Sequence, residues 1–201
     1  MTFVVPIVEG QGEVMCVPRL LWRIANDSTP GARLRVNEPI RVKSGSFFNN
    51  ASERDRHVML AAAKARSSAG CILVLLDCDD DCPAQLGPRL RQQVQAVAGG
   101  VPVVVALASR EYETWFIAAA ESLRGVEGFA ADAAALANPE APRNAKGWLG
   151  KLLPHGYDPV THQLPFTSQF DLQAARRVPS FDRLYRKISA LLNAEPDPAI
   201  A

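Results

Sequence analysis

Histidine is scarce in this chain: His57, His155 and His162 are too scattered to frame a zinc site. Cysteine is nearly as sparse. Cys16, Cys71, Cys78 and Cys82 form no CxxC pair or regular framework, and three of them lie in or beside apolar segments. Reduced thiols in a reducing compartment are therefore expected, with Cys78 and Cys82 as packing residues. No apolar run approaches the roughly 18–20 residues of a membrane span, and no basic stretch leads into an apolar one at the amino terminus. The expectation is a cytoplasmic protein without a membrane partner. An excess of either charge is also missing, since 22 Lys and Arg face 21 Asp and Glu. The resulting +1 gives no global attraction to nucleic acid or anionic lipid, and leaves only local patches to provide one.

Several motifs are absent or broken. There is no GxxxxGK[ST] phosphate loop and no GxSxG elbow. Gly10 and Gly12 begin a GxGxxG pattern, but Met15 stands where the third glycine belongs. Asp77, Asp79 and Asp81 imitate an EF-hand opening, yet Cys82 and Pro88 replace the required glycine and glutamate. No internal repeat or low-complexity tract is visible.

What is present is an alternation of strand and helix signals. Phe3 to Val8 is a β-branched run. From Gln11, the apolar residues Val14, Val17, Leu20, Leu21 and Ile24 recur at helical spacing up to Asn26. Arg33 to Lys43 alternates like an edge strand and is interrupted at Glu38-Pro39, and Ser44-Gly45-Ser46 ends it. Ser52 then precedes a helix predicted to run to Gly70. Cys71 to Leu76 is almost wholly apolar, as a strand covered on both faces requires. Pro83 to Ala98 reads as helix, Val101 to Leu107 as a second buried strand and Tyr112 to Leu123 as helix, with Trp115 and Phe116 in its core face. This order predicts an open, mostly parallel α/β sheet flanked by helices, Rossmann-like in class, over residues 1–124.

Past residue 124 the texture changes. Ala130 to Ala137 reads as a short helix. Pro139 to Phe170 is proline-rich but carries large apolar side chains, which predicts a loop-rich segment packed on the sheet edge. Phe181 to Leu192 is an amphipathic helix. Residues 125–192 thus form an extension packed on the core, and 193–201 a flexible tail.

Acids mark the ends of the apolar strands. Glu9 follows the first strand, Asp77 and Asp79 the Cys71 strand, and Glu111 and Glu113 the Val101 strand. In an open parallel sheet these carboxyl ends share one edge, where ligands bind. Glu13 falls in the first helical turn after Gly10 and Gly12, back toward Glu9. Taken singly, an acid after a strand is usually a cap or turn residue, and Asp80 and Asp81 are read so. Gathered together, the acids would raise one another's pKa values unless a cation offset the repulsion. An all-oxygen cluster suits Mg²⁺ or Mn²⁺.

The quoted residues also carry a resemblance. VEGQGE at 8–13 with LLDCDDD at 75–81 resembles the glutamate and DxD motifs of the Toprim fold, found in topoisomerases, primases and overcoming-lysogenization-defect nucleases. SREYETWFIA at 109–118, Pro142 with Lys146, and YDPVTHQLPF through SFDRL at 157–184 resemble the Toprim-like family called domain of unknown function 4276. The resemblance covers nearly the whole chain. It implies a divalent-metal site and a role in DNA processing or mobile-element defence beside a partner ATPase.

On that footing the expected chemistry is phosphodiester hydrolysis with two ions about 4 Å apart. Glu9, Asp77 and Asp79 would hold one ion, and Glu13 with Glu111 or Glu113 the second. Lys146 would offset charge building on the phosphate. Arg176, Arg177, Arg183, Arg186 and Lys187 offer a basic stretch for DNA backbone, or simply a wet helix face. A non-catalytic subunit bound to an ATPase, or another phosphoryl or nucleotidyl transferase, would use the same acids.

Overall fold

A computed structural model describes residues 1–193; the tail expected at 193–201 lies, beyond Asn193, outside them. Strand β1 (Thr2–Val8) leads into helix α1 (Gln11–Ser28), which continues past Asn26. Strands β2 (Leu34–Val36) and β3 (Ile40–Arg41) follow, separated at Glu38-Pro39 as the alternation predicted. Helices α2 (Ser44–Asn49) and α3 (Ala51–Arg66) precede β4 (Cys71–Asp77), then come α4 (Pro83–Val97) and β5 (Val103–Ala108). The remaining helices are α5 (Thr114–Ala118), α6 (Ala145–Gly150), α7 (Pro159–Gln169), α8 (Leu172–Ala175) and α9 (Pro179–Asn193). Short 3₁₀ turns cover Ala120–Leu123 and Val126–Gly128.

All strand pairings are parallel, in the order β2-β1-β4-β5 with β3 also beside β1, so the sheet is open and Rossmann-like. The chain leaves β1 toward one side for β2 and β3, then returns to the other side for β4. The strand order therefore reverses between β1 and β4, whose carboxyl ends are Glu9 and Asp77.

Strand alternation divides the core cleanly. Cys71, Leu73 and Leu75 face one hydrophobic layer, and Ile72, Val74 and Leu76 face the other. The second layer is closed by Phe47 of α2, by Val58, Ala61, Ala62 and Ala65 of α3, and by Leu90 and Val94 of α4. The first is closed by α1 and by the helices after β5. Phe116 lies 5.5 Å from Phe166 and 5.5 Å from Phe170, and Trp115 lies 5.1 Å from Phe181, ring centroid to ring centroid. These contacts lock α7 and α9 onto α5, each pair contributing roughly 0.5–1.5 kcal/mol beyond its buried area. Among the described residues, no helix is long and apolar enough to cross a membrane.

Several local expectations are overturned. Asn50, not Ser52, caps α3, its side chain accepting from the Glu53 N–H at 3.1 Å. The strand does end before Ser44-Gly45-Ser46, which in addition opens helix α2. The Tyr112–Leu123 helix is only α5 plus a 3₁₀ turn, broken at Ala119. Ala130–Ala137 is not helical, because its backbone is spent on tertiary bonds: Glu121 accepts from the Ala135 N–H, and Arg124 and Arg177 donate to the Ala133 and Leu136 carbonyls. Residues 139–170 contain two helices, α6 and α7. Pro159 begins α7 at a position where its missing N–H costs nothing, with Asp158 capping the Thr161 N–H at 2.8 Å. Within this segment α7 packs over α1 on a covered face, while α6 meets the carboxyl edge of the sheet through Lys146. Cys82 is exposed at the start of α4, so it is not a packing residue.

α1 and α7 meet so closely at Gly12 that a Cβ there would sit 1.8 Å from Gln163 Oε1 and 2.8 Å from the Pro159 carbonyl. Gly12→Ala is expected to destabilise the protein by about 2 kcal/mol, as overpacking does, and to lower the thermal unfolding midpoint measured by circular dichroism.

Candidate functional site

Glu9 leaves β1 at the switch point, half-buried. Its Oε1 accepts from the Ser44 hydroxyl at 2.6 Å at the start of α2, while its buried Oε2 has no partner among the described residues. Burial, countered by Ser44 and reinforced by Glu13 and Asp79, raises the Glu9 pKa above its ordinary value.

Glu13 is buried one helical turn later. Its carboxylate folds back over Gly10, so that a Cβ there would meet Oε2 at 2.2 Å and displace the carboxylate. Glu13 Oε1 accepts from Gln163 Nε2 at 3.0 Å, and Oε2 has no hydrogen-bond partner among the described residues. The same Gln163 nitrogen donates to Glu113 Oε1 at 2.9 Å, so one fully buried amide of α7 bridges two carboxylates. Sequence reading missed Gln163 and Ser44, and nothing in either residue type marks it as a partner for an acid.

Asp77 ends β4. Its Oδ1 accepts from the Tyr112 N–H at 2.8 Å. Burial, then the Glu113 carboxylate, pushes its pKa well above the usual range. Asp79 is exposed and adopts a left-handed conformation (φ 45°), as does Arg110 (φ 61°), and the Asp79 N–H donates to the Arg110 carbonyl at 3.1 Å. Two non-glycine residues in this strained region, paired across the β4 and β5 loops, turn Asp79 onto the cleft wall. Asp80 points elsewhere, to Arg110 at 2.8 Å and to Arg143. Both partners are arginines of other loops, where a cap or turn role was expected.

Lys146, in the first turn of α6, stands among the acids. Its Nζ is 3.0 Å from Glu113 Oε2, 3.1 Å from Glu111 Oε1 and 3.9 Å from Asp77 Oδ2. Glu111 Oε2 also accepts from the Lys146 backbone N–H at 3.1 Å. Burial alone would lower the lysine pKa, but Glu113, Asp77 and Glu111 together carry it above its ordinary value. Glu113 is 0% exposed, and burial raises its pKa despite the lysine.

These residues surround a cleft of about 390 Å³ lined by Glu9, Glu13, Asp77, Asp79, Glu111 and Lys146. All the acids proposed from sequence are thus brought to one edge, with Glu113 beneath the cleft and Glu111 on its wall. Six carboxylates share one lysine. An all-oxygen set with that charge, and with unpartnered buried oxygens on Glu9 and Glu13, fits a hard divalent cation. As the side chains stand, no three His, Cys, Asp or Glu among the described residues converge to hold a metal, because Lys146 draws Asp77, Glu111 and Glu113 to itself.

The signs of these shifts set the pH response. Glu9, Asp77 and Glu113 bind protons more readily folded than unfolded. Their contribution to stability therefore falls as pH rises from their ordinary values of 4.5, 3.8 and 4.5 through the raised ones. Lys146 responds in the same direction at higher pH, stabilising below its ordinary 10.5 and losing that contribution as pH rises through its raised folded value. Lys146→Met is expected to cost about 2 kcal/mol at neutral pH, less than a fully buried pair because some of the side chain meets water. Thermal unfolding across pH should show the deficit narrowing toward pH 4 as the abandoned acids take protons; a deficit constant with pH would contradict the electrostatic role.

Residues 8–189 match the family described as Domain of unknown function (DUF4276). No curated protein and no solved structure matches the chain. The matched span runs from the last residue of β1 into α9 and so includes every residue of the acidic cleft. The chain belongs to the DUF4276 family.

Proposed function

We propose that this protein is a Toprim-like, divalent-metal-dependent nuclease that hydrolyses nucleic-acid phosphodiesters. The observation that carries the reading is the convergence of six acids from three strand ends on one cleft with a single lysine among them. Such a charge is costly without a cation; burial first, and neighbouring acids after it, raise the pKa values of Glu9, Asp77 and Glu113. The resemblance of VEGQGE and LLDCDDD to the Toprim motifs supports the same reading and extends it to DNA processing or mobile-element defence.

Glu9, Asp77 and Asp79 would hold Mg²⁺ or Mn²⁺, with Glu13 and Glu111 in reach of the same cleft. The bound ion would activate water and neutralise the phosphate. Glu113, sealed beneath the cleft, acts by holding Lys146. Gln163 fixes Glu13 and Glu113 relative to each other. Tyr112 orients Asp77 through its backbone N–H, leaving Oδ2 toward Lys146. Lys146, once an ion shares its carboxylates, would be released to offset charge on the phosphate.

A second reading draws on the same lysine. Its ion pairs already satisfy part of the cluster, as a non-catalytic subunit bound to a partner ATPase would need. Plasmid DNA incubated with the protein and Mg²⁺ or Mn²⁺ separates the two. Nicking or linearisation is expected for the wild type and a loss of about 100-fold or more for Glu9→Ala and Asp77→Ala. Either metal should also raise the thermal midpoint of the wild type and not of Asp77→Ala. Cleavage that survives both substitutions would remove the cleft from the reaction. Metal binding without cleavage would favour the subunit reading.

A further inference from the structure

A second cleft adjoins the acidic one and has the opposite charge. It measures about 430 Å³ and is lined by Arg41, Lys43, Ser46, Glu53, Arg56 and His57, from β3 and the two helices after it. Arg41, Lys43 and Arg56 are exposed, and none forms an ion pair among the described residues. Glu53 is the single acid on the wall. The His57 Nδ1–H donates to the Glu53 carbonyl at 2.8 Å, which fixes the imidazole. Two bonds tie this cleft to the acidic one: Arg41 Nε donates to the Glu9 carbonyl at 3.2 Å, and Ser44 donates to the Glu9 carboxylate at 2.6 Å.

The acidic cleft by itself repels a polyanion, and Lys146 is already occupied by three carboxylates. The basic stretch near the carboxyl terminus is largely committed too: Arg176 and Arg186 pair with Asp182, Arg177 donates to the Leu136 carbonyl, and Lys187 to the Val105 carbonyl. The net charge of +1 supplies no attraction from a distance. A strand whose phosphate enters the acidic cleft therefore needs cations beside it, and the adjoining cleft holds two, Lys43 and Arg56, whose side chains make no ion pair or hydrogen bond among the described residues, with Arg41 held by a carbonyl alone.

From this juxtaposition we infer that the cleft of Arg41, Lys43 and Arg56 is a nucleic-acid backbone subsite. It takes a phosphate neighbouring the one presented to Glu9 and Asp77. The assignment rests on the nucleic-acid reading of the acidic cleft. Lys43 and Arg56 serve as phosphate contacts, and Arg41 joins the two clefts through its bond to the Glu9 carbonyl. Contacts of this kind carry affinity without sequence preference.

The test is binding of a fluorescein-labelled single-stranded oligonucleotide, measured by anisotropy in EDTA over a range of salt, with the plasmid assay run in parallel. Lys43→Gln/Arg56→Gln is expected to weaken binding on the order of tenfold and to lower the slope of log K against log salt by about 1–2. Lys64→Gln/Arg91→Gln, which removes the same charge from residues lining neither cleft, should leave both unchanged. An unaltered affinity and slope in the first variant would overturn the assignment, as would a loss confined to the second, or a wild type that does not bind. A loss for ATP as large as for the oligonucleotide would reassign the cleft to mononucleotides and overturn the strand reading. Because binding is read without metal, its outcome is separate from cleavage: a strand held by this cleft but never cut leaves the subsite standing and removes the nuclease reading. Cutting unaffected by Lys43→Gln/Arg56→Gln does the reverse.

Discussion

The Lys146 ammonium group, 3.0 Å from Glu113, 3.1 Å from Glu111 and 3.9 Å from Asp77, is the contact on which the carboxyl edge of the sheet depends. It brings α6 down onto the loops that follow β4 and β5. It also lets Glu113 remain wholly buried beside Glu13 and Asp77. The arrangement is a compromise: burial works against the charge on both sides of each pair, and only close approach restores it.

Gln163 plays the complementary part from the other direction. Its amide nitrogen reaches Glu13 and Glu113, groups that belong to the helix after β1 and the loop after β5. The approach of α7 that permits this is possible because residue 12 has no side chain. The apolar contacts among Phe116, Phe166 and Phe170 supply the energy of that packing, and the polar contacts set its register. Helices late in the chain thus complete a site whose acids come mainly from its first half.

Charge is sorted at close range across this face. An acidic cleft at the switch point between β1 and β4 lies against a basic one beside β3, joined by Arg41 and Ser44. A protein of almost no net charge can in this way present strong local fields of both signs. The two fields meet at the carboxyl ends of the strands, positive directly beside negative.

The sheet and the placement of its acids were legible in the sequence because they follow from short-range rules. A short apolar run such as Cys71–Leu76, bounded by Gly70 and the acids after it, fits a strand covered on both faces, and a parallel sheet puts Glu9, Asp77 and Glu111 at one edge. Prolines and alanines mislead after residue 124: Pro159 begins a helix within a stretch expected to be loop-rich, and Ala130–Ala137 gives its backbone to Arg124, Glu121 and Arg177, 9 to 41 residues away. Which acid faces the cleft and which supports it was likewise a tertiary matter. Glu111 and Glu113 are two residues apart and chemically alike, yet one lines the cleft and the other is sealed beneath it. Local pattern determined the strands and the edge to which their acids go, since each depends on neighbours within a few residues. The tertiary structure alone decided the partners, because Lys146, Gln163 and Ser44 reach the acids across 33 to 150 residues of chain, and no local signal encodes contacts of that span.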